Sequence, residues 1–212
     1  MLGGACSNQK PRVLSAERLV MLRLYLLATA PTAAQRLLRF PADESIEPIN
    51  VSVARRLLAR VGACSAIWRG PERRAEETAA ALGLVATPCD DLRAWSAGVW
   101  SGQAVAHVAV HDPEGFQAWR TNPDAAPAGG ESLNTLIARV AGWSRAQTPG
   151  AGRVLVIADP AVIRAVVLHV LEGDPHTFWR LEVPPLSLSV VQHAHNEWRL
   201  RHLVLDPAEA GI

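Results

Sequence analysis

Two continuous apolar runs constrain the fold of this chain more than any other feature. Residues 21–27 and 153–158 carry almost no polar side chains. Strands that are covered on both faces of a parallel sheet have near-continuous apolar sequences, whereas half-exposed strands alternate between apolar and polar residues. The two runs therefore predict neighbouring central strands of a parallel sheet with helices on both of its faces.

The segments between and after these runs supply the expected helices. Helical spacing of apolar residues and local start and stop signals predict helices at 51–61, 72–82, 113–120, 131–147 and 160–171. For the helix at 72–82, Pro71 is the start signal and Gly83 the stop signal. A third strand is expected at 64–68, and alternation at 186–193 and 198–205 predicts a terminal hairpin. This order predicts an α/β, three-layer αβα fold with a mostly parallel central sheet.

Composition sets the domain count and excludes several function classes. The 212 residues, 49% of them apolar, suit one domain over 21–212, with residues 1–20 as a flexible N-terminal extension. A formal net charge of +1 gives no field to attract nucleic acid or an anionic membrane. The cysteines form no CxxC pair, and no apolar run approaches the ~18 residues of a membrane span. We therefore expect reduced cysteines and a cytoplasmic location.

The residues that follow the two apolar runs are the first candidates for a site. In open α/β sheets, ligands bind beyond the carboxyl ends of the strands. Thr29 follows the first run and Asp159 follows the second. These two side chains are therefore expected to lie close together at one edge of the sheet.

Five segments carry motifs that recur together in a known family. Residues 24–32 resemble a strand that ends in Arg-His-Gly. Residues 69–79 are similar to Ser-Ser-Pro-x-x-Arg-Ala-x-x-Thr-Ala, residues 98–102 to Gly-x-Trp-x-Gly, residues 128–132 to Pro-Gly-Gly-Glu-Ser, and residues 154–164 to a strand that ends in Ser-His or Thr-His. The chain thus resembles the histidine phosphatase (phosphoglycerate mutase-like) superfamily, and is most similar to small bacterial members such as the α-ribazole phosphatases.

The resemblance also shows where this chain departs from the family pattern. Thr29 stands where the family has its nucleophilic histidine, and Ala28 where it has the neighbouring arginine. The general-acid glutamate aligns near Ala94, and the second histidine aligns with Asp159. Of the phosphate-binding residues that the resemblance implies, Arg74 is clearly retained.

These departures argue against phosphohistidine chemistry. Phosphoryl transfer depends on positive charge held around the phosphoryl oxygens, and here an added carboxylate offsets the one retained arginine. Thr29 as a nucleophile with Asp159 as its base is one alternative. Another is that Thr29 is a small polar cap and Asp159 pairs with Arg74. A third is that Asp159 only caps the helix that begins at Pro160.

Further candidate ligand-binding residues follow from the same comparison. Gln35 lies near a position that is often asparagine in the family, and Glu131 and Ser132 belong to a segment that lies near the substrate in relatives. Glu131 and Ser132 are equally compatible with a simple helix N-terminal signal. Tryptophans 95, 100 and 119 in the 85–130 segment either line a pocket for a planar or apolar ligand or pack a lid.

The histidines give a weaker signal. His193, His195 and His202 on the hairpin make a metal site conceivable, but exposed surface histidines explain them as well. His107 and His111 are spaced to share one helix face. They belong to a segment that roofs the pocket in relatives, where they either face the substrate or lie on a solvated or partly packed helix face. We expect no metal and no cofactor.

The sequence therefore predicts a ligand-binding or regulatory homologue without phosphohistidine machinery, a pseudophosphatase. The alternative is an enzyme of another reaction type, or a residual phosphatase, that uses the same pocket through Thr29, Arg74, Asp159 and Glu131. A structural subunit that pairs with an active relative is a third hypothesis. The expected partner is a small molecule in the former phosphate pocket, and homodimer formation is left open.

Overall fold

The computed structural model describes residues 21–147 and 152–205, and the predicted extension at 1–20 lies outside them. The strands are β1 (Leu22–Ala28), β2 (Ala66–Arg69), β3 (Thr87–Pro88), β4 (Arg153–Ala158), β5 (Leu188–Ala194) and β6 (Glu197–Leu205). The helices are α1 (Ala33–Arg36), α2 (Val51–Ala59), α3 (Arg73–Leu82), α4 (Val105–His111), α5 (Pro113–Thr121), α6 (Leu133–Ala146) and α7 (Pro160–Val170). Short 3₁₀ turns occupy Asp90–Leu92, Gly98–Trp100 and Pro175–Arg180.

The strands form one six-stranded sheet in the order β3-β2-β4-β1-β5-β6. Neighbouring strands from β3 to β1 run parallel, and β5 and β6 add an antiparallel hairpin at the edge. β1 pairs with β4 in a register that sets Ala28 opposite Ala158. The prediction that the two apolar runs are adjacent parallel strands is confirmed.

The two faces of the sheet bury different helices, because successive side chains of a strand point to opposite sides. Leu24 and Leu26 of β1 belong to the same apolar cluster as the buried residues of α6 and α7. Tyr25 and Leu27 of β1 pack on the other side, in a cluster with residues of α2 and α3. The result is the predicted three-layer αβα arrangement.

Local sequence signals fix several boundaries of these elements. α3 ends at Gly83, whose φ of 73° lies in the left-handed region that glycine adopts without strain. The turn between β5 and β6 is formed by His195 and Asn196, with φ of 53° and 62°. Positive φ at both central residues suits a two-residue hairpin turn, and asparagine tolerates that conformation well.

The segment at 85–130 contains more regular structure than the sequence predicts. It includes the short strand β3 and the helix α4 in addition to the expected α5, and for α4 the sequence signal was the helical spacing of His107 and His111. A small apolar cluster of Phe40, Trp100 and Val108 holds α4 and α5 over the carboxyl end of the sheet. Within the two described ranges, no helix is both long and apolar enough to cross a bilayer.

Candidate ligand-binding site

The ends of β1 and β4 bring together the two residues that the sequence placed at the site. The backbone N–H of Thr29 donates a hydrogen bond to the carbonyl of Ala158 at 3.0 Å, so the parallel pairing continues one step beyond β1. Asp159 follows directly and begins α7. The carboxyl edge of the sheet therefore presents a threonine and an aspartate at adjacent strand ends.

Arg74, in the first turn of α3, reaches the same edge and forms an ion pair there. Its Nη2 lies 3.1 Å from Oδ2 of Asp159, and the two side chains are only 3% and 13% exposed. Its Nη1 donates a hydrogen bond to the carbonyl of Ala42 at 2.8 Å. The predicted pairing of Arg74 with Asp159 is confirmed.

Asp159 also caps α7, so two interpretations that looked exclusive hold together. Its Oδ1 accepts a hydrogen bond from the backbone N–H of Ala161 at 2.9 Å, and Pro160 occupies the first turn. A carboxylate suits this position, because the N-terminus of a helix leaves N–H groups unpaired and carries partial positive charge. Oδ1 of Asp159 therefore caps the helix, and Oδ2 pairs with Arg74.

A cavity of about 230 Å³ opens beside this ion pair. Arg74 and Asp159 form part of its wall, with Gln35, Glu44 and Arg164 as further polar groups. Five aromatic side chains also line the cavity: Phe40, Trp95, Trp119, Phe178 and Trp179. None of the described residues that line the cavity is a histidine.

The aromatic side chains form a connected cluster. The rings of Trp95 and Trp119 stack with centroids 5.1 Å apart, and Trp179 meets Trp119 edge-on at 4.8 Å. Phe178 lies edge-on to Trp95 at 5.3 Å. Such contacts between aromatic rings fix ring orientation in addition to burying apolar area. The sequence left pocket wall and lid packing open for three tryptophans: Trp95 and Trp119 line the cavity, whereas Trp100 packs in the cluster with Phe40 and Val108.

Two other charged groups of the wall differ in how well they are paired. Glu44 accepts a hydrogen bond from the backbone N–H of Ala42 through Oε2, and its Oε1 lies 4.0 Å from Nη1 of Arg74. Arg164 projects from α7, and its guanidinium carbon lies 5.6 Å from the ring centre of Phe178. Burial lowers the pKa of Arg164, and the nearby carboxylates of Asp159 and Glu182 oppose that shift.

The remaining predicted site residues are not all brought to the cavity. Gln35 lines it, and its Oε1 accepts a hydrogen bond from the backbone N–H of Thr32 at 3.2 Å. Thr29 is only 1% exposed, does not belong to the described cavity wall, and its Oγ1 has no hydrogen-bond partner among the described residues. Ser132 caps α6 by accepting from the backbone N–H of Thr135.

Glu131 does not line the cavity but is bonded to residues that do. Its carboxylate forms two hydrogen bonds with Arg139, at 2.9 Å to Nε and 2.7 Å to Nη2. Its backbone carbonyl accepts from Nε1 of Trp95, and its N–H donates to the carbonyl of Ser96. Glu131 therefore holds the Trp95 wall in place, which the helix-start signal in its sequence did not indicate.

The cavity also contains residues that sequence reasoning missed. These are Arg164, Phe178, Trp179 and Glu44, the last from the loop after α1. Arg164 lies five residues after Asp159 in a helix that has a candidate residue at its cap, and this spacing was the available signal. The Pro175–Arg180 turn carries no motif that distinguishes it from a surface loop.

The histidines lie outside the cavity wall. His107 and His111 stack on each other with centroids 3.9 Å apart on the exposed face of α4. His193 packs beside Trp198 on the hairpin. Over the described ranges, no three residues of the kind that ligate metals lie together.

Comparison with known proteins places this geometry in a family. Residues 32–206 match the model of the histidine phosphatase superfamily (branch 1). The chain is 32% identical over 149 residues to a bifunctional protein of Mycobacterium tuberculosis, Rv2228c, and this match covers 68% of the chain and 41% of that protein. The chain thus spans about two fifths of the length of the curated relatives that it matches.

Solved structures share the fold at lower sequence identity. The alpha-ribazole phosphatase of Shigella flexneri matches with a TM-score of 0.73 and 17% identity, over 85% of this chain and 95% of that one. A mycobacterial glucosyl-3-phosphoglycerate phosphatase, Rv2419c, matches with a TM-score of 0.72 and 24% identity, over 86% and 98%. The expected phosphoglycerate mutase-like fold is confirmed.

Proposed function

Since this chain belongs to the histidine phosphatase superfamily, we propose that it is a member that binds a small molecule in its pocket and does not carry out phosphohistidine chemistry. The observation that carries the proposal is the ion pair between Arg74 and Asp159 at 3.1 Å. Arg74 is the cation that the family resemblance assigns to phosphate. In this chain the carboxylate of Asp159 pairs with that cation.

Charge supports this proposal. A phosphate dianion entering beside Arg74 would meet the negative charges of Asp159 and Glu44, which both line the cavity. Like charges ~4 Å apart repel by roughly 4 kcal/mol at the effective dielectric constant of a protein surface. The pocket therefore favours ligands that carry less negative charge than a phosphate ester does.

Burial of Thr29 supports binding over catalysis. A nucleophilic hydroxyl needs access to the substrate and a base within hydrogen-bond reach. Thr29 is 1% exposed and its Oγ1 has no described partner. Glu131, the other candidate for proton transfer, has both carboxylate oxygens bound by Arg139.

The open cavity favours a ligand over a purely structural role. A subunit that only supports an active relative has no need of a cavity of about 230 Å³ lined by charged and aromatic groups. The same observation also favours the second candidate, an enzyme of another reaction type. A catalytic role predicts turnover of a bound molecule that is lost in Asp159→Asn, whereas a binding role predicts that every ligand is recovered unchanged.

Hydrolysis of p-nitrophenyl phosphate between about pH 5 and 8 tests the proposal, with the Shigella flexneri phosphatase as the active control. Loss of one oxyanion donor alone costs about 3 kcal/mol in the transition state, and loss of the nucleophile adds to it. We expect turnover at least ~10⁴-fold below the control. Turnover near the level of the control, abolished by Arg74→Gln, would overturn the proposal.

A further inference from the structure

The charged groups of the cavity do not pair off completely. Arg74 is held by Asp159 and by the carbonyl of Ala42. Arg164 makes no hydrogen bond and no ion pair within 4.0 Å to any residue that the structure describes, and its Nε is buried without a partner. A guanidinium has five N–H donors, and a buried donor without an acceptor is costly. The carboxylates of Asp159 and Glu182 lie near enough to act on its charge, but Arg164 is left without a direct acceptor in the cavity wall.

The side chains around Arg164 indicate which chemical groups a ligand bound there would carry. The guanidinium lies over the ring of Phe178, and the adjoining walls are Trp95, Trp119 and Trp179. Cavities of ~150 Å³ lined by apolar side chains accommodate benzene. A volume of about 230 Å³ therefore has room for an aromatic ring and a short polar substituent.

We propose that this cavity binds an aromatic monocarboxylate, with the carboxylate on the guanidinium of Arg164 and the ring against the tryptophan wall. The proposal rests on the ligand-binding function proposed above and names the ligand class for it. Arginine pairs with carboxylates through two parallel N–H···O bonds, a geometry that its planar fork is built for. Such a ligand would supply the acceptors that Arg164 lacks.

Two other ligand classes fit the same cavity less well. A phosphate ester brings two negative charges to a wall that already contains Asp159 and Glu44. An organic cation would find aromatic faces, which attract cations, but the positive charge of Arg164 would repel it, and it would supply no acceptor to that guanidinium. A single negative charge supplies the acceptor and meets less repulsion from Asp159 and Glu44 than a phosphate dianion does.

The first test uses the unaltered protein and matched probes. Titration calorimetry compares indole-3-carboxylate with indole-3-carboxamide, which has the same shape and no charge. We expect the carboxylate to bind at least ~10-fold more tightly, because hydrogen bonds to charged groups are worth more than neutral ones. Equal affinity, or no binding of the carboxylate, would overturn the assignment of the ligand class.

The second test asks whether Arg164 carries the preference. Arg164→Gln should reduce affinity for the carboxylate by roughly 10-fold or more and leave affinity for the carboxamide nearly unchanged, and Arg164→Lys should retain part of the preference. The matched control is Arg199→Gln, which removes an exposed arginine paired with Glu197 on the hairpin. An unchanged preference in Arg164→Gln would contradict the proposal. If that variant does not fold, the comparison of probes on the unaltered protein still decides.

Failure of this inference is distinguishable from failure of the proposed function. Tighter binding of indoxyl phosphate or benzyltrimethylammonium than of indole-3-carboxylate would overturn the ligand class and leave a binding function in place. Release of inorganic phosphate from indoxyl phosphate at the rate of an active relative would overturn the proposed function itself.

Discussion

Replacing Asp159 by asparagine isolates the ion pair at the centre of the site. Asparagine is nearly isosteric with aspartate and caps helices about as well, so the bond to the N–H of Ala161 can persist. What the substitution removes is the negative charge 3.1 Å from Nη2 of Arg74. Arg74 then remains as a cation with 3% of its side chain exposed.

The size of the effect follows from the contacts that Arg74 keeps. Removing one partner of a buried ion pair costs about 3–5 kcal/mol when the other charge is left uncompensated. Arg74 keeps its bond to the carbonyl of Ala42, and Glu44 lies 4.0 Å away, so the cost falls below that range. We expect about 2–3 kcal/mol for Asp159→Asn, and about 1 kcal/mol more for Asp159→Ala because the cap is lost too.

The assay is thermal unfolding in chloride and in phosphate at matched ionic strength. For a chain of this size, 2–3 kcal/mol lowers Tm by roughly 4–12 °C. The uncompensated Arg74 should bind phosphate about 10-fold more tightly than in the unaltered protein, so phosphate should restore part of the lost Tm. Asp112→Asn is the matched control, because Asp112 caps α5 before Pro113 as Asp159 caps α7 before Pro160, and it has no ion pair among the described residues.

Two results would refute this reasoning. An Asp159→Asn variant with the Tm of the unaltered protein would show that the ion pair contributes nothing to stability. An equal response to phosphate in the unaltered and Asp159→Asn proteins would show that Asp159 does not compete with phosphate for Arg74.

Three further predictions concern residues away from the ion pair. Glu131→Gln leaves the buried Arg139 without its carboxylate and should lower the free energy of unfolding by about 3 kcal/mol in urea titrations, whereas an unchanged midpoint would contradict the role of Glu131 as a support. Gly98→Ala should destabilise the protein by about 1–3 kcal/mol, because φ is 53° and the added Cβ atom would overlap the facing backbone. Gly142→Ala lies in open space on α6 and should stabilise the protein by about 0.5–1 kcal/mol. Equal Tm values for the two variants would refute this contrast. Burial lowers the pKa of His169 below its usual 6.5, so the neutral side chain stabilises the fold above about pH 6.5 and this contribution is lost as the pH falls. His169→Gln should therefore flatten the dependence of Tm on pH between about 7.5 and 5. An unchanged slope would contradict this role of His169.

The central sheet was predictable because its signal is local and repeated. β1 and β4 are buried on both faces of the sheet, so nearly every position in these strands requires an apolar side chain. The helix boundaries at Gly83 and Pro160 follow from backbone constraints on single residues. The sequence signal for α4 was limited to the helical spacing of His107 and His111, because the burial of this helix depends on contacts with Phe40 and Trp100 from separate segments.

The site was predictable only where strand ends determine it. Arg74 and Asp159 meet because α3 begins at the edge of the sheet where β4 ends, and the topology follows from the order of the elements. The cavity wall at Arg164 and Trp179 forms where α7 packs beside the Pro175–Arg180 turn. This packing is not encoded by a recognisable residue spacing, so the sequence did not predict it. Glu131 illustrates the converse, since its place in a family motif suggested ligand contact while its carboxylate is bound by Arg139.

A crystal structure of the unaltered protein grown in phosphate tests the central claim most directly. Our account predicts that the carboxylate of Asp159 stays on the guanidinium of Arg74, at about the 3.1 Å seen here, with no phosphate bound to that arginine. A phosphate ion held by Arg74, with the side chain of Asp159 turned away, would contradict it. That result would mean that the pocket still recognises phosphate, and that Asp159 does not take the place of the anion.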